Sequence, residues 1–169
     1  MALWPLGMLY LYCCMVGLCI GSFCNVLIYR MPRGLGIARG RSFCPACAHT
    51  LAAKDLVPLF SWAFLRGKCR YCGAKIPARY PLVELLGGAL AVVAPLVFGW
   101  RLSALVAFLA GCILLTIAFI DADTQEIPDA LVIALAVVAI AAAIFTRDVP
   151  IWRRVIGLFV LSLPMVLLN

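Results

Sequence analysis

Four cysteines in two pairs are the first residues whose types and spacing could do chemistry. Cys44-Pro-Ala-Cys47 is followed, after 21 residues, by Cys69-Arg-Tyr-Cys72. Each Cys-x-x-Cys knuckle turns two sulfurs to one side, and two knuckles at this separation suit a tetrahedral four-thiolate zinc site. The stretch from Arg30 to Arg79 also carries ten of the fourteen basic residues and a single acid, Asp55. Basic loops beside membrane spans stay in the cytoplasm, where thiols are kept reduced. Cys44, Cys47, Cys69 and Cys72 are therefore expected as metal ligands and not as disulfides. Two unrelated pairs of buried cysteines are the bland alternative.

A second cluster is acidic. Asp121, Asp123, Glu126 and Asp129 supply four of the chain's seven acids within nine residues. They fall where two apolar runs meet, a depth at which a carboxylate is costly and usually functional or paired. Asp129, beside Pro128, fits the first turn of a helix, where an acid complements the dipole. Asp123 and Glu126 read as solvated loop acids. Asp121 directly follows the apolar Ile117-Ala-Phe-Ile120 and should lie closest to the hydrocarbon. Acid hydrolysis by aspartates needs two carboxylates sharing a proton, one acting as base toward water and one polarising the carbonyl. By itself the segment permits an aspartic hydrolase, a proton or cation path, or a metal site.

The elements that must position these groups are membrane spans. Hydrophobic residues make up 66% of the chain, charged residues 12%, and mean hydropathy is +1.13; a soluble domain is about a quarter charged. Uncharged runs cover Trp4–Tyr29 (26 residues), Leu85–Trp100, Leu102–Ile120 (19), Ala130–Thr146 (17) and Val155–Asn169 (15). The first is long enough to cross a bilayer with some tilt, and the last is short. Lacking a basic start and a small-x-small cleavage pattern, the first run reads as a retained span and not a signal peptide. The expected fold is all-α and polytopic, with about five transmembrane helices. Residues 1–29 form the first, 30–80 a small cytosolic zinc module, and 81–169 the remaining bundle.

Orientation follows the basic loop. Residues 30–80 and Asp121–Asp129 are then cytosolic, and the Gly99-Trp100-Arg101 turn and Arg147–Arg154 are outside. Arg147, Arg153 and Arg154 against Asp148 oppose this arrangement but are outnumbered. Trp4, Trp100 and Trp152 all fall at outer span ends, where interfacial aromatics belong. The net charge is +7, and the basic patch at residues 30–79 suits anionic membrane lipids or acidic partners. Nucleic acid is the weaker reading, because the basic residues abut membrane spans and no helix-turn-helix or RNA-binding signature occurs.

Here the residues meet a family. Gly21-Ser-Phe-Cys-Asn-Val-Leu-Ile-Tyr-Arg-Met-Pro32, the two cysteine knuckles, Arg79-Tyr-Pro-Leu-Val-Glu84 and Ile120-Asp-Ala-Asp-Thr-Gln-Glu-Ile-Pro-Asp129 occur in the order in which type IV prepilin peptidases carry similar motifs. The resemblance implies a bifunctional enzyme of the bacterial inner membrane. It would cut the leader of type IV prepilins or type II secretion pseudopilins, then N-methylate the new N-terminus with S-adenosylmethionine. It implies that Asp121 is the first catalytic aspartate, with Asp123 and Glu84 as accessory candidates. The family's second aspartate lies in a Gly-x-Gly-Asp motif, which is missing here. After Asp129 the only glycine is Gly157 and the only aspartate is Asp148. The expectation is a C-terminally truncated peptidase, inactive in this 169-residue form, with a naturally dead relative as the alternative.

Other residues read more simply. Glu84 also fits an interfacial carboxylate paired with Arg79 or Lys75. His49 could be an alternative ligand, but four thiolates already close a structural site. Cys13, Cys14, Cys19, Cys24 and Cys112 lie in apolar runs and should behave as small hydrophobes. Gly87-Gly88 and the Ala-rich Ala130–Ala143 stretch allow close helix contact, and Ser22 and Asn25 can hydrogen-bond across helices. No glycine-rich nucleotide loop marks a methyl-donor site. A non-catalytic membrane scaffold, its zinc knob docking on pilus or secretion machinery, remains the second function class. A proton or cation path through Glu84 and Asp121 is the third.

Overall fold

The computed structural model describes residues 4–37, 40–146 and 152. Its helices are α1 (Trp4–Arg30), α2 (Phe60–Phe64), α3 (Arg79–Phe98), α4 (Leu102–Thr124) and α5 (Asp129–Phe145). Among the described residues there is no strand, only isolated bridges at Phe43–Thr50 and Lys68–Lys75. Three helices are long and apolar enough to cross a membrane, and α5 is a shorter apolar helix. Lipid offers the backbone no hydrogen bonds, so each apolar run must satisfy its own, and a helix does that. The expected fifth span, Val155–Asn169, and the outer charges Arg147, Asp148, Arg153 and Arg154 lie outside the described residues.

Two helix boundaries differ from the uncharged runs. α3 begins at Arg79, well before Leu85, because Pro81 in its first turn needs no N–H partner. α4 runs past Ile120 to Thr124, so Asp121 and Asp123 lie in its last turns and not in a loop. It stops at Gln125, whose φ of 54° is left-handed and whose N–H closes on Asp121 O at 2.8 Å. Asp129 opens α5 directly after Pro128, the place expected for a dipole-complementing acid.

α1 and α3 meet almost backbone to backbone. A Cβ on Gly17 would stand 2.5 Å from Gly87 O, and one on Gly21 would stand 2.8 Å from Glu84 Cα. Gly87 is as tight, at 2.7 Å from Gly17 O. Gly87-Gly88 is the expected close-contact pair, and its counterpart, not anticipated from the sequence, is the Gly17-x-x-x-Gly21 spacing that lets helices approach. α4 packs through a stripe at every fourth residue, Ala104, Phe108, Cys112, Thr116 and Ile120, all buried. Thr116 Oγ1 donates to Cys112 O at 2.8 Å, which satisfies its hydroxyl inside the bundle. Val83 and Ile120 are fully buried.

At one end of the bundle, Tyr10 of α1 rests against Trp100 in the α3–α4 turn, with ring centroids 5.2 Å apart. The other end gathers Arg30, Arg79 and the close of α4.

The glycine contact generates a prediction. Gly87→Leu must force α1 and α3 apart, at a cost of about 1–3 kcal/mol or more. It should lower the thermal midpoint in detergent, whereas Gly7→Leu, with nothing within 4 Å of its added carbon, should leave it unchanged.

Candidate functional site

The two knuckles fold alike. Ala48 N–H donates to Cys44 O at 2.8 Å, and Gly73 N–H to Cys69 O at 2.9 Å. Ala48 and Gly73, each following its second cysteine, both have positive φ, 56° and 72°. Glycine takes that conformation freely and alanine under strain. The turns converge: the sulfurs of Cys44, Cys47, Cys69 and Cys72 all lie within 4.8 Å of one another. Cys44 and Cys72 sulfurs are 3.9 Å apart. A tetrahedral ion with sulfurs about 2.3 Å away holds them about 3.8 Å apart, so the four residues fit a divalent thiophilic metal. All four are free thiols.

Their protonation is uneven. Backbone N–H groups of Cys72 and Tyr71 draw the Cys69 thiol down to about 7. The Ala74 N–H also favours the Cys72 thiolate, but burial and the neighbouring thiols outweigh it and push Cys72 up to about 11. Thiols this close cannot all ionise together without a cation among them.

Asp55, the module's lone acid, braces the second knuckle. It accepts from Arg70 Nε at 2.6 Å, Tyr71 Oη at 2.9 Å and the Ala52 N–H at 3.2 Å. The Arg70 bond, first of these, holds its carboxyl below the usual carboxylate range. His49 stacks on Tyr71 with centroids 3.7 Å apart, so it supports the knuckle from outside the thiol cluster.

Two side chains tie the module to the helices. Buried Arg30 donates to the carbonyls of Gly36, Gly40 and Arg41 at 3.0–3.1 Å. Glu84 Oε2 accepts the Leu59 N–H at 2.8 Å. Leu59 has φ 60°, a costly conformation for a branched side chain, and the bond to Glu84 fixes it. The expected Glu84 pair with Arg79 or Lys75 is not formed. Arg79 bonds instead to Asp123, joining the start of α3 to the end of α4. Asp123 is thus an ion-paired helix residue and not a loop acid, its side chain still solvent-exposed. It lies three residues past buried Ile120 and returns toward the packed face. Asp121, one residue past Ile120, is rotated off that face by about 100° and is exposed.

Between α1, α3 and the module lies a cavity of about 390 Å³. Asn25, Tyr29, Trp62, Lys75, Tyr80 and Glu84 are among its lining residues. Asn25 Nδ2 donates to Tyr80 O at 2.9 Å, the cross-helix bond its position suggested. Its Oδ1 is buried and has no hydrogen-bond partner among the described residues.

The chain's sequence matches known proteins. Residues 15–98 match the model of the bacterial peptidase A24 N-terminal domain. The prepilin leader peptidase/N-methyltransferase of Myxococcus xanthus is 45% identical over 124 residues, 73% of this chain and 36% of that one. That of Klebsiella pneumoniae is 39% identical over 151 residues, 83% of this chain and 64% of that one. The Neisseria gonorrhoeae protein of the same name is 32% identical over 84% of this chain and 58% of its own. The chain belongs to the type IV prepilin peptidase family. It spans between 36% and 64% of the length of these three relatives. No solved structure matches it.

Metal binding must displace protons from the thiols, so affinity should fall as pH drops from about 8 to about 6. Cobalt(II) titration, followed by its thiolate charge-transfer band, measures this. Asp55→Asn should weaken binding by about tenfold, since groups that orient ligands carry effects of that size. Unchanged affinity in that variant would remove Asp55 from the metal site's support.

Proposed function

We propose that this chain carries the first catalytic aspartate and the zinc module of a membrane aspartic peptidase. The enzyme removes leaders from type IV prepilins or type II secretion pseudopilins, then N-methylates the new N-terminus. The observation that supports this best is the meeting of Arg79 and Asp123. It brings the end of α4, with Asp121, to the same end of the bundle as the thiol module. The names of the relatives support the reaction class, and favour an enzyme over a scaffold.

In this reading Asp121 takes a proton from the attacking water as oxygen adds to the scissile carbonyl. A second carboxylate, protonated, donates to that carbonyl oxygen. As the C–N bond breaks, the proton taken by Asp121 passes to the leaving amine and the second carboxylate recovers its proton from the re-forming carbonyl, so hydrolysis consumes one water and leaves the dyad as it began. The second carboxylate is proposed to come from outside residues 1–169, which contain no Gly-x-Gly-Asp. Asp123 acts through Arg79, as a positioning residue for the helix end that carries Asp121.

The ion held by Cys44, Cys47, Cys69 and Cys72 is proposed to be zinc, closing the module as a structural site. S-adenosylmethionine, when bound, supplies an electrophilic methyl group. The proposed location is the bacterial inner membrane, with module and acidic helix end in the cytosol. There the basic surface of the module faces acidic lipids, and apolar spans can receive a prepilin's hydrophobic segment.

Residues 1–169 by themselves should leave prepilin uncut. In a form extended to the length of the relatives, Asp121→Asn should abolish cleavage in a peptide assay, because the amide cannot take a proton. Asp123→Asn should lower kcat while leaving measurable cleavage. Full activity in Asp121→Asn would remove that residue from the chemistry.

Sidedness has its own test. With the membrane-embedded cysteines replaced and the metal kept bound, a cysteine at Gly99 should react with an impermeant reagent added outside. One at Lys54 should react only after permeabilisation. The reverse pattern would overturn the orientation.

A further inference from the structure

We infer that the cavity between α1, α3 and the thiol module is the pocket for the methyl donor, with Asn25 and Glu84 holding the donor's α-amino group. The inference rests on the methyl-transfer reading above and adds a place and two residues to it. The cavity, at about 390 Å³, falls in the range of small-molecule sites. Asn25 is 6% exposed, yet its Oδ1 has no partner among the described residues. A buried acceptor left unpaired is normally completed by water or by a ligand. Its amide cannot simply be turned over, because Nδ2 is committed to Tyr80 O at 2.9 Å.

Glu84 lines the same cavity. Its Oε2 holds the Leu59 N–H, and Oε1 accepts no hydrogen bond among the described residues. Two acceptors with no donor of their own call for a group bringing N–H bonds and positive charge. The surroundings restrict which cation can enter. Ten basic residues between Arg30 and Arg79 repel a simple cation. A ligand whose amino group is accompanied by a carboxylate avoids that penalty, and Lys75, which also lines the cavity, can meet the carboxylate. Tyr29, Trp62 and Tyr80 add aromatic surface suited to a flat heterocycle. An amino acid joined to a heteroaromatic ring has all of these parts, and S-adenosylmethionine is such a molecule. A peptide's N-terminal amine shares the ammonium but not the ring.

The test is calorimetric titration of the metal-loaded full chain in detergent with S-adenosylmethionine and, separately, with a short peptide bearing a free N-terminus. Wild type, Asn25→Leu and Glu84→Gln are compared, with bound metal measured as the control for folding. Glu84→Gln keeps an oxygen for the Leu59 N–H, so it carries the test if Asn25→Leu loses its metal. The expected result is donor binding weakened by about tenfold or more in each variant at unchanged metal content, the loss typical of a charged hydrogen bond. Donor binding that is equal in wild type and variants would overturn the pocket while leaving methyl transfer standing. No donor binding by wild type would overturn both. Peptide binding alone, lost in the variants, would make the cavity an amine site and refute the donor assignment.

Discussion

The functional end of this molecule depends on the approach of α1 and α3 at Gly17, Gly21, Gly87 and Gly88. A Cβ at Gly17, Gly21 or Gly87 would fall within 3 Å of the facing backbone, so the two helices pack at a distance no other residue permits. Lipid gives them no hydrophobic reason to associate, and close packing supplies the attraction instead. The consequence reaches the module. With α1 and α3 side by side, Arg30 and Arg79 bracket a stretch whose ends are already held together, and less loop-closure entropy remains to be lost. The thiol cluster closes a smaller loop inside the larger one.

Charge is arranged by the same economy. The apolar bundle cannot solvate stray carboxylates, and three of the six described ones are committed. Asp55 holds Arg70 and Tyr71, Glu84 holds the Leu59 N–H, and Asp123 holds Arg79. Asp121 stands outside these pairs among the described residues, as do Glu126 and Asp129, and it alone of the three lies one residue past the buried stripe of α4. The proposed role of Asp121 toward water and a peptide bond requires a carboxylate that is uncommitted, and Asp123 beside it carries the ion pair instead. Arg79, reaching across from α3 to Asp123, holds the end of α4 that carries Asp121 to the start of α3.

Much of this was legible in the sequence because it is local. Cys-x-x-Cys spacing fixes which sulfurs share a face, and uncharged runs mark α1, α3, α4 and α5. What escaped was pairing across the fold. The Glu84–Leu59 bond joins residues 25 apart in the chain and the Arg79–Asp123 bond residues 44 apart. Glu84 was expected to meet a nearby cation, but the strained Leu59 backbone claimed it first. The end of α4 was placed too early because Asp121 and Asp123 look like loop residues. The helix continues because Ile120 still packs and Gln125 supplies the left-handed stop. The seam at Gly17 and Gly21 had a readable four-residue spacing that only its partner on α3 makes meaningful. Asn25 could be assigned a cross-helix bond, but not the unpaired oxygen that bond leaves behind.

The central claim is that the thiol module, the start of α3 and the end of α4 form one mechanical unit. Hydrogen–deuterium exchange on the full chain in lipid nanodiscs, with metal bound and after chelation, tests it directly. Removing the metal should speed exchange across residues 41–79 and, with it, at residues 121–126, while the buried stripe from Ala104 to Thr116 stays protected. Faster exchange confined to the module, with 121–126 unchanged, would contradict the account by showing that the acidic helix end is indifferent to the metal site beside it.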